Sequence, residues 1–388
     1  MKNKKIIALL LVGGLALTGC VKTSEDADSD QTSTTEQAEN TNSSKDNTNS
    51  ENNNENADSK EDENKDDEKN EDTNKTAEYI EDEPRYGTTI KMGFDGDLCM
   101  AGQNLAEING YFEDKGVDIE FINTQNGKDA LSSGQIDVMT GEFGSLIVPA
   151  TKGLNYVFST ASHSGCKSLY VLDDNEDLQS TSDLEGKSVA VTNGIGASGH
   201  NTLLRFLIHD DINPDEVNVK PVDKSAVIQS LKKGEIQGAV LDDQFAQEFL
   251  QSGDIRPIRS LTSDEDFGKE VCCVAAFNKD FVDENPMLAE LVGEAIDMGN
   301  DYAESNPEES IKLLQEKNMA EGDPEVATDL LKAYDYSLTN EDGETTIRSY
   351  FDDYKELGLI ENSRSTDELV DELWRPLGNG EVEVVHKN

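Results

Sequence analysis

The chain has 388 residues, with 81 Asp or Glu against 33 Lys or Arg and a formal net charge of −48. That excess of negative charge excludes a nucleic-acid partner, which needs a basic footprint, and makes any anionic surface a poor one. The length exceeds one ordinary domain and allows two lobes with an appendage.

Lys2, Lys4 and Lys5 form a basic start, and Ile6 to Leu17 an apolar run too short to span a bilayer. The following Leu17-Thr18-Gly19-Cys20 resembles a bacterial lipobox. The resemblance implies a signal peptide over residues 1–20, cleavage before Cys20, and a lipid on its sulfur. The expected location is extracytoplasmic, lipid-anchored at the cell membrane rather than spanning it. Residues 21–86 are Ser, Thr, Asn, Asp, Glu and Lys with almost no apolar residue until the end. They cannot bury enough surface to offset chain entropy and are expected to be a disordered acidic linker.

From Thr88 the chain alternates strands and helices. Thr88–Phe94, Val117–Ile122 and Ile136–Met139 read as strands, with helices around Leu105 to Phe112, Asp129 to Ser133 and Gly144 to Lys152. Tyr156–Phe158 and Leu169–Leu172 read as further strands, separated by Ser162-His163-Ser164-Gly165-Cys166. That alternation predicts an α/β fold with mostly parallel strands. The pattern restarts at Asp183. A strand over Ser188–Val191 leads through the glycine-rich Asn193-Gly194-Ile195-Gly196-Ala197-Ser198-Gly199 loop to a helix carrying Leu203, Leu204, Leu207 and Ile208, with Ser198 as its N-cap. Free N–H groups at such a strand end form a cradle for a small anion or polar ligand. Val217–Val219, a helix from Ser225 to Lys233 and a strand entered through Gly234-Glu235-Ile236 follow. The last echoes Gly134-Gln135-Ile136, which suggests two similar lobes. Val271–Phe277 is one more strand. Beyond it, helices over 287–304, 307–317, 324–336, 344–357 and 366–374 are expected to pack on the first lobe, with 377–388 a flexible tail.

The segment Leu184-Glu185-Gly186-Lys187-Ser188-Val189-Ala190-Val191, the helix–Gly234-Glu235-Ile236–strand element and the order of strands resemble substrate-binding proteins of ABC importers, in the nitrate/sulfonate/taurine branch. The resemblance covers Ile90 to Trp374. It implies a two-lobed periplasmic-binding-protein-like fold with crossover strands near Leu169–Leu172 and Cys272–Phe277. The lobes would be residues 87–171 with a return over 272–376, and residues 172–271. It implies a binding protein with no catalytic role and no cofactor, acting as a monomer that hands a small solute to a permease and its ATPase. Ligand-facing positions would be the carboxyl ends of strands: Asp97, Cys99, Asn126, Glu142, Phe143, His163, Cys166, Asn193, Ser198, His200, Asp242 and Asp243. Where the branch often has an aromatic–acid–Pro run, this chain has Asp242-Asp243-Gln244-Phe245. With Glu142 opposite, these acids favour a zwitterion, a cation or a metal species over a bare anion.

Three rival readings use the same residues. Gly194-Ile195-Gly196-Ala197-Ser198-Gly199 with Asp223 downstream fits a dinucleotide fingerprint. An extracytoplasmic head, however, has no ready supply of that cofactor. Cys99, Cys166, Cys272 and Cys273 fall around the cleft and allow a disulfide, buried thiols, or a soft-metal site assisted by His163. An enzyme like the thiamin-pyrimidine synthase branch is the alternative function. Its cysteine-rich iron motif is not reproduced by Val271-Cys272-Cys273-Val274.

Overall fold

The computed structural model describes residues 77–94, 96–124, 126–380 and 382–387. The leader, Cys20 and the acidic stretch through residue 76 lie outside the described residues. Among the described residues, the strands β1 (Ile90–Phe94), β2 (Ile119–Asn123), β3 (Val138–Glu142), β4 (Tyr156–Ser164), β5 (Lys167–Leu172), β6 (Ser188–Val191), β7 (Asn218–Pro221), β8 (Gly238–Asp242), β9 (Ile255–Ser260) and β10 (Val271–Asn278) form two sheets. The helices between them are α1 (Ala101–Ile108), α2 (Tyr111–Asp114), α3 (Gly127–Ser132), α4 (Phe143–Thr151), α5 (Ser198–His209), α6 (Val227–Lys232) and α7 (Asp243–Gln251). After β10 come α8 (Lys279–Glu284), α9 (Pro286–Ser305), α10 (Pro307–Glu316), α11 (Pro324–Ala333), α12 (Asn340–Glu356) and α13 (Thr366–Leu373). None of the described helices is long and apolar enough to cross a membrane.

The first sheet runs β2-β1-β3-β10-β4 and the second β7-β6-β8-β5-β9. In each, three parallel strands are followed by one antiparallel strand and a closing edge strand. The echo between Gly134 and Gly234 is thus a repeat of architecture, since α3–β3 and α6–β8 occupy equivalent places. The antiparallel strand is supplied from far along the chain in each case. β10, Val-Cys-Cys-Val-Ala-Ala-Phe-Asn, is buried throughout, as an unbroken apolar strand covered on both faces must be.

The two crossovers differ from expectation. Leu169–Leu172 lies within β5 and pairs only inside the second sheet, and Cys272–Phe277 lies within β10 of the first. The chain changes sheet at Gly165-Cys166 and again through Leu261–Glu270, so the first change falls before Lys167, not after Val171. Gly165 and Cys166 carry φ of +84° and +86°. A left-handed non-glycine residue costs about 1–3 kcal/mol and persists only where its surroundings dictate it.

Both ends of the head are held, contrary to the linker and tail expected there. Ile80 is buried and its N–H bonds to the Val385 carbonyl at 2.8 Å. Glu83 accepts the Met287 and Leu288 N–H groups at 2.7 and 2.9 Å, capping the unpaired first turn of α9. The acidic stretch therefore includes a residue with a helix terminus to satisfy. Glu83→Ala is expected to cost about 1–2 kcal/mol, read as a lower urea midpoint at unchanged slope. In the tail, Leu377 is buried and Gly378 and Gly380 donate to the Glu290 carboxylate at 3.0 and 2.7 Å.

Most of the terminal helices pack on the first lobe as expected, but not all stay there. α9 crosses α1 so closely that a methyl group at Gly299 would overlap the Gly102 backbone. α12, by contrast, reaches both sheets: Tyr354 donates to the Gly144 carbonyl of α4 at 3.1 Å, and Asp353 takes Arg205 of α5. Tyr334 and Tyr336, just past α11, sit in one apolar cluster with Cys99, Cys166, Leu169, Val240 and Cys273.

Candidate functional site

The ends of β3, β5 and β8 meet at the junction of the two sheets. Lys167, first residue of β5 and 3% exposed, sets its ammonium 2.6 Å from Glu142 Oε1 and bonds Asp242 as well. Glu142 ends β3 of one sheet and Asp242 ends β8 of the other, so one cation ties both together. Burial raises the Glu142 carboxyl to about 7, with Lys167 opposing that rise. Burial also disfavours the Asp242 carboxylate, but the Lys167 ammonium outweighs it and holds Asp242 below its ordinary value. Lys224 adds a second cation 3.3 Å from Asp242 and lies over the Phe245 ring at 4.9 Å.

Beside this triad lie the thiols. Cys166 Sγ is 2.7 Å from Cys272 Sγ and 3.6 Å from Glu142 Oε1. Burial opposes ionisation of Cys166, yet hydrogen bonds from Cys272, Cys273 and Cys99 and the Lys167 charge bring its pKa well below that of an ordinary thiol. Cys99, Cys272 and Cys273 are pushed well above it, the first two chiefly by their bonds to Cys166 and the third by burial. His163 is fully buried and stacks on Tyr334 with ring centroids 4.9 Å apart. Asp243 is buried as well, with its carboxylate accepting from Tyr170 Oη at 2.7 Å and from Thr262.

Asp242 of the triad also lines a cavity of about 810 Å³ between the two sheets and the start of α11. Asp97, Asn193, Lys224, Asp242 and Phe245 line it together with Glu248, Glu321 and Asp323. The Leu98 N–H reaches Gln244 Oε1 across it at 3.2 Å.

The twelve positions read from the sequence separate into groups. Glu142, Cys166 and Asp242 meet around Lys167, and Cys99 and His163 join the thiol cluster. Asp97 and Asn193 line the cavity wall, Asn193 from the exposed tip of its loop. Asp243 points its carboxylate into a buried hydrogen-bond group beneath. Phe143 is a core residue, packed against Phe158 at 5.3 Å and near Trp374, because the first residue of α4 turns into the sheet's aromatic layer. Asn126 is exposed at the start of α3 and bonds Asp129 at 2.5 Å. Ser198 is the first residue of α5, with Ala197 at the N-cap and no side chain capping it. It is buried beside Gly144, and Asn201 bonds the Gly144 carbonyl at 2.7 Å. His200 accepts the Gly196 N–H at 3.2 Å and lines a different hollow with Leu204 and Ile208. The backbone cradle expected at the glycine loop is not found at the cavity: Asn193 alone of this loop lines it, Ser198 packs on Gly144, and Ile195 at the tip is 60% exposed. Lys167 was missed: a lysine opening a strand reads as a solvated end, and only its place next to Cys166 hinted otherwise.

The family model described as NMT1/THI5 like matches residues 100–310, more than half of the chain. The chain belongs to that family. A taurine-binding periplasmic protein of Escherichia coli strain K12 is 27% identical over 231 residues, covering 55% of this chain and 69% of its own. The alkanesulfonate-binding protein SsuA of Xanthomonas axonopodis pv. citri, solved bound to MOPS, superposes with a TM-score of 0.59 at 15% identity, over 74% of this chain and 98% of that one. The periplasmic nitrate-binding protein NrtA of Synechocystis gives 0.61 at 15% identity, over 74% and 86%. These structures share the family's two-sheet fold, as expected. Those three relatives are binding proteins by name, while the desulfurization enzyme DSZB shares the fold as well, with a TM-score of 0.54 at 14% identity.

Proposed function

We propose that the chain is the solute-binding component of an ABC importer, held outside the cytoplasm by lipid on Cys20 and delivering its solute to a permease as the lobes close. The solute is small, polar and bears positive charge, alone or as a zwitterion. The observation that carries this reading is the acidic cavity between the strand ends: Asp97, Asp242, Glu248, Glu321 and Asp323 line it with Lys224, the one lysine among its described lining residues. A bare anion meets net repulsion there, whereas an amine beside a sulfonate or carboxylate finds carboxylates for one end and Lys224 for the other.

Thermal unfolding of the full chain with taurine, a simple alkylamine, an alkanesulfonate and nitrate tests this. A bound solute at a hundred times its Kd stabilises by about 2.7 kcal/mol. Stabilisation is expected from taurine or the amine. Stabilisation confined to nitrate or the alkanesulfonate overturns the assigned charge. No response to any of them, with nothing co-purifying by mass spectrometry, overturns solute binding itself.

A further inference from the structure

Beneath that cavity, and independent of its solute, lies a set of soft donors. Cys99 Sγ, Cys273 Sγ and a ring nitrogen of His163 all lie within 4.8 Å of one another. A point within about 2.8 Å of all three exists, against roughly 2.3 Å for a metal–thiolate bond, so a sub-ångström contraction suffices. The histidine is already oriented for the task. Its Nδ1 is 2.7 Å from the Ser164 carbonyl, so the proton belongs on Nδ1 and the lone pair on Nε2. Nε2 is buried with no hydrogen bond of ordinary geometry among the described residues, although the Cys99 backbone lies beside the ring. A buried imidazole with one nitrogen spent on a backbone carbonyl and the other left bare is the usual posture of a metal-bound histidine. Tyr334 and Tyr336 flank the ring at 4.9 and 5.0 Å and fix its plane.

We propose that Cys99, Cys273 and His163 form a three-coordinate site for a soft monovalent metal ion, Cu(I) being the representative. Two thiolates and one imidazole suit such an ion, and the two thiol protons pass to solvent as the bonds form. A closed zinc site takes four donors. Cys166 and Cys272 also lie within 4.8 Å of the Cys273 sulfur, but they are 2.7 Å from one another, too close for both sulfurs to sit on one ion without parting. The pair Cys166–Cys272 is therefore a neighbour of the site and not part of it.

The test uses the full chain, kept reduced and anaerobic, with Cu(I) presented as its bicinchoninate complex. One Cu(I) per chain is expected to leave the chelator, and X-ray absorption of the loaded wild-type protein is expected to show two sulfurs and one nitrogen at the copper. Cys99→Ser and Cys273→Ser should each weaken uptake at least about a hundredfold and His163→Leu about tenfold, with Cys272→Ser close to wild type. No uptake by the reduced wild-type chain overturns the proposal. An all-sulfur copper shell, equal loss in Cys272→Ser and Cys273→Ser, or equal competition by Zn(II) does the same. The absorption measurement needs no variant, so a misfolded substitution does not shelter the idea.

Discussion

Lys167→Met is expected to destabilise the head by about 3–5 kcal/mol at pH 8 and by clearly less at pH 5. The substitution keeps the volume of the stem but strands Glu142 and Asp242, one from each sheet, with Lys224 as the remaining cation near Asp242. In the wild type, Lys167 holds Asp242 below its ordinary pKa, so that carboxylate contributes stability above the ordinary value and loses it as pH falls. Glu142 is raised to about 7 by burial even in the wild type and loses stability as pH rises through that value; without the lysine it rises further and Asp242 rises with it. The folded variant then binds more protons than its unfolded chain, and its stability falls as pH rises through the neutral range. The gap between wild type and variant therefore widens with pH. Urea unfolding at the two pH values reads this directly. Equal losses at both would mean that the pair is not the source. Glu142→Gln with Asp242→Asn in the Lys167→Met background should recover most of the deficit, because the stranded charges have gone.

Much of this architecture is legible in the sequence, for a definite reason. Strands such as Ser188–Val191 and the paired Gly–acid or amide–Ile entries at Gly134 and Gly234 are local signals, and each lobe repeats them. What crosses between lobes is not local. Nothing in Lys167-Ser168-Leu169-Tyr170-Val171-Leu172 distinguishes a strand of the first sheet from one lent to the second, so the change of sheet was expected too late. The same blindness hid Lys167, whose partners are 25 positions before and 75 after it in the chain and whose burial exists only once both sheets meet. Phe143 shows the converse. A strand-end position suggests the cleft, but the first turn of α4 swings an aromatic ring into the core beside Phe158 and Trp374. The tail at 377–388 carries too few apolar residues to read as packed, yet Gly378 and Gly380 find a buried carboxylate to satisfy.

Arg205→Met should cost a further class of stability, about 3–5 kcal/mol, and should also loosen the lobes. Arg205 is fully buried on α5. Its Nε donates to Asp353 of α12 at 2.6 Å, and its two terminal nitrogens grip Glu270 at 2.8 and 3.1 Å. The guanidinium lies 3.8 Å from the Tyr350 ring centre and 5.2 Å from that of Phe267. One side chain thereby fastens a helix of the second sheet to the returning connection and to α12, which Tyr354 joins to α4 of the first. Lysine cannot reproduce a forked, stacked contact, so Arg205→Lys is expected to recover less than half of the loss. Burial would raise the Asp353 carboxyl, but His209 and Arg205 hold it below its ordinary value. Its contribution is therefore present above the ordinary carboxyl pKa and lost as pH falls through the folded-state value, and it shrinks in both variants. Small-angle scattering separates a clamp from mere packing: as a clamp, Arg205→Met enlarges the radius of gyration under conditions where circular dichroism shows the chain still folded. Lower stability with an unchanged radius would leave Arg205 as a packing residue and place the resistance to opening in Lys167 and its two carboxylates.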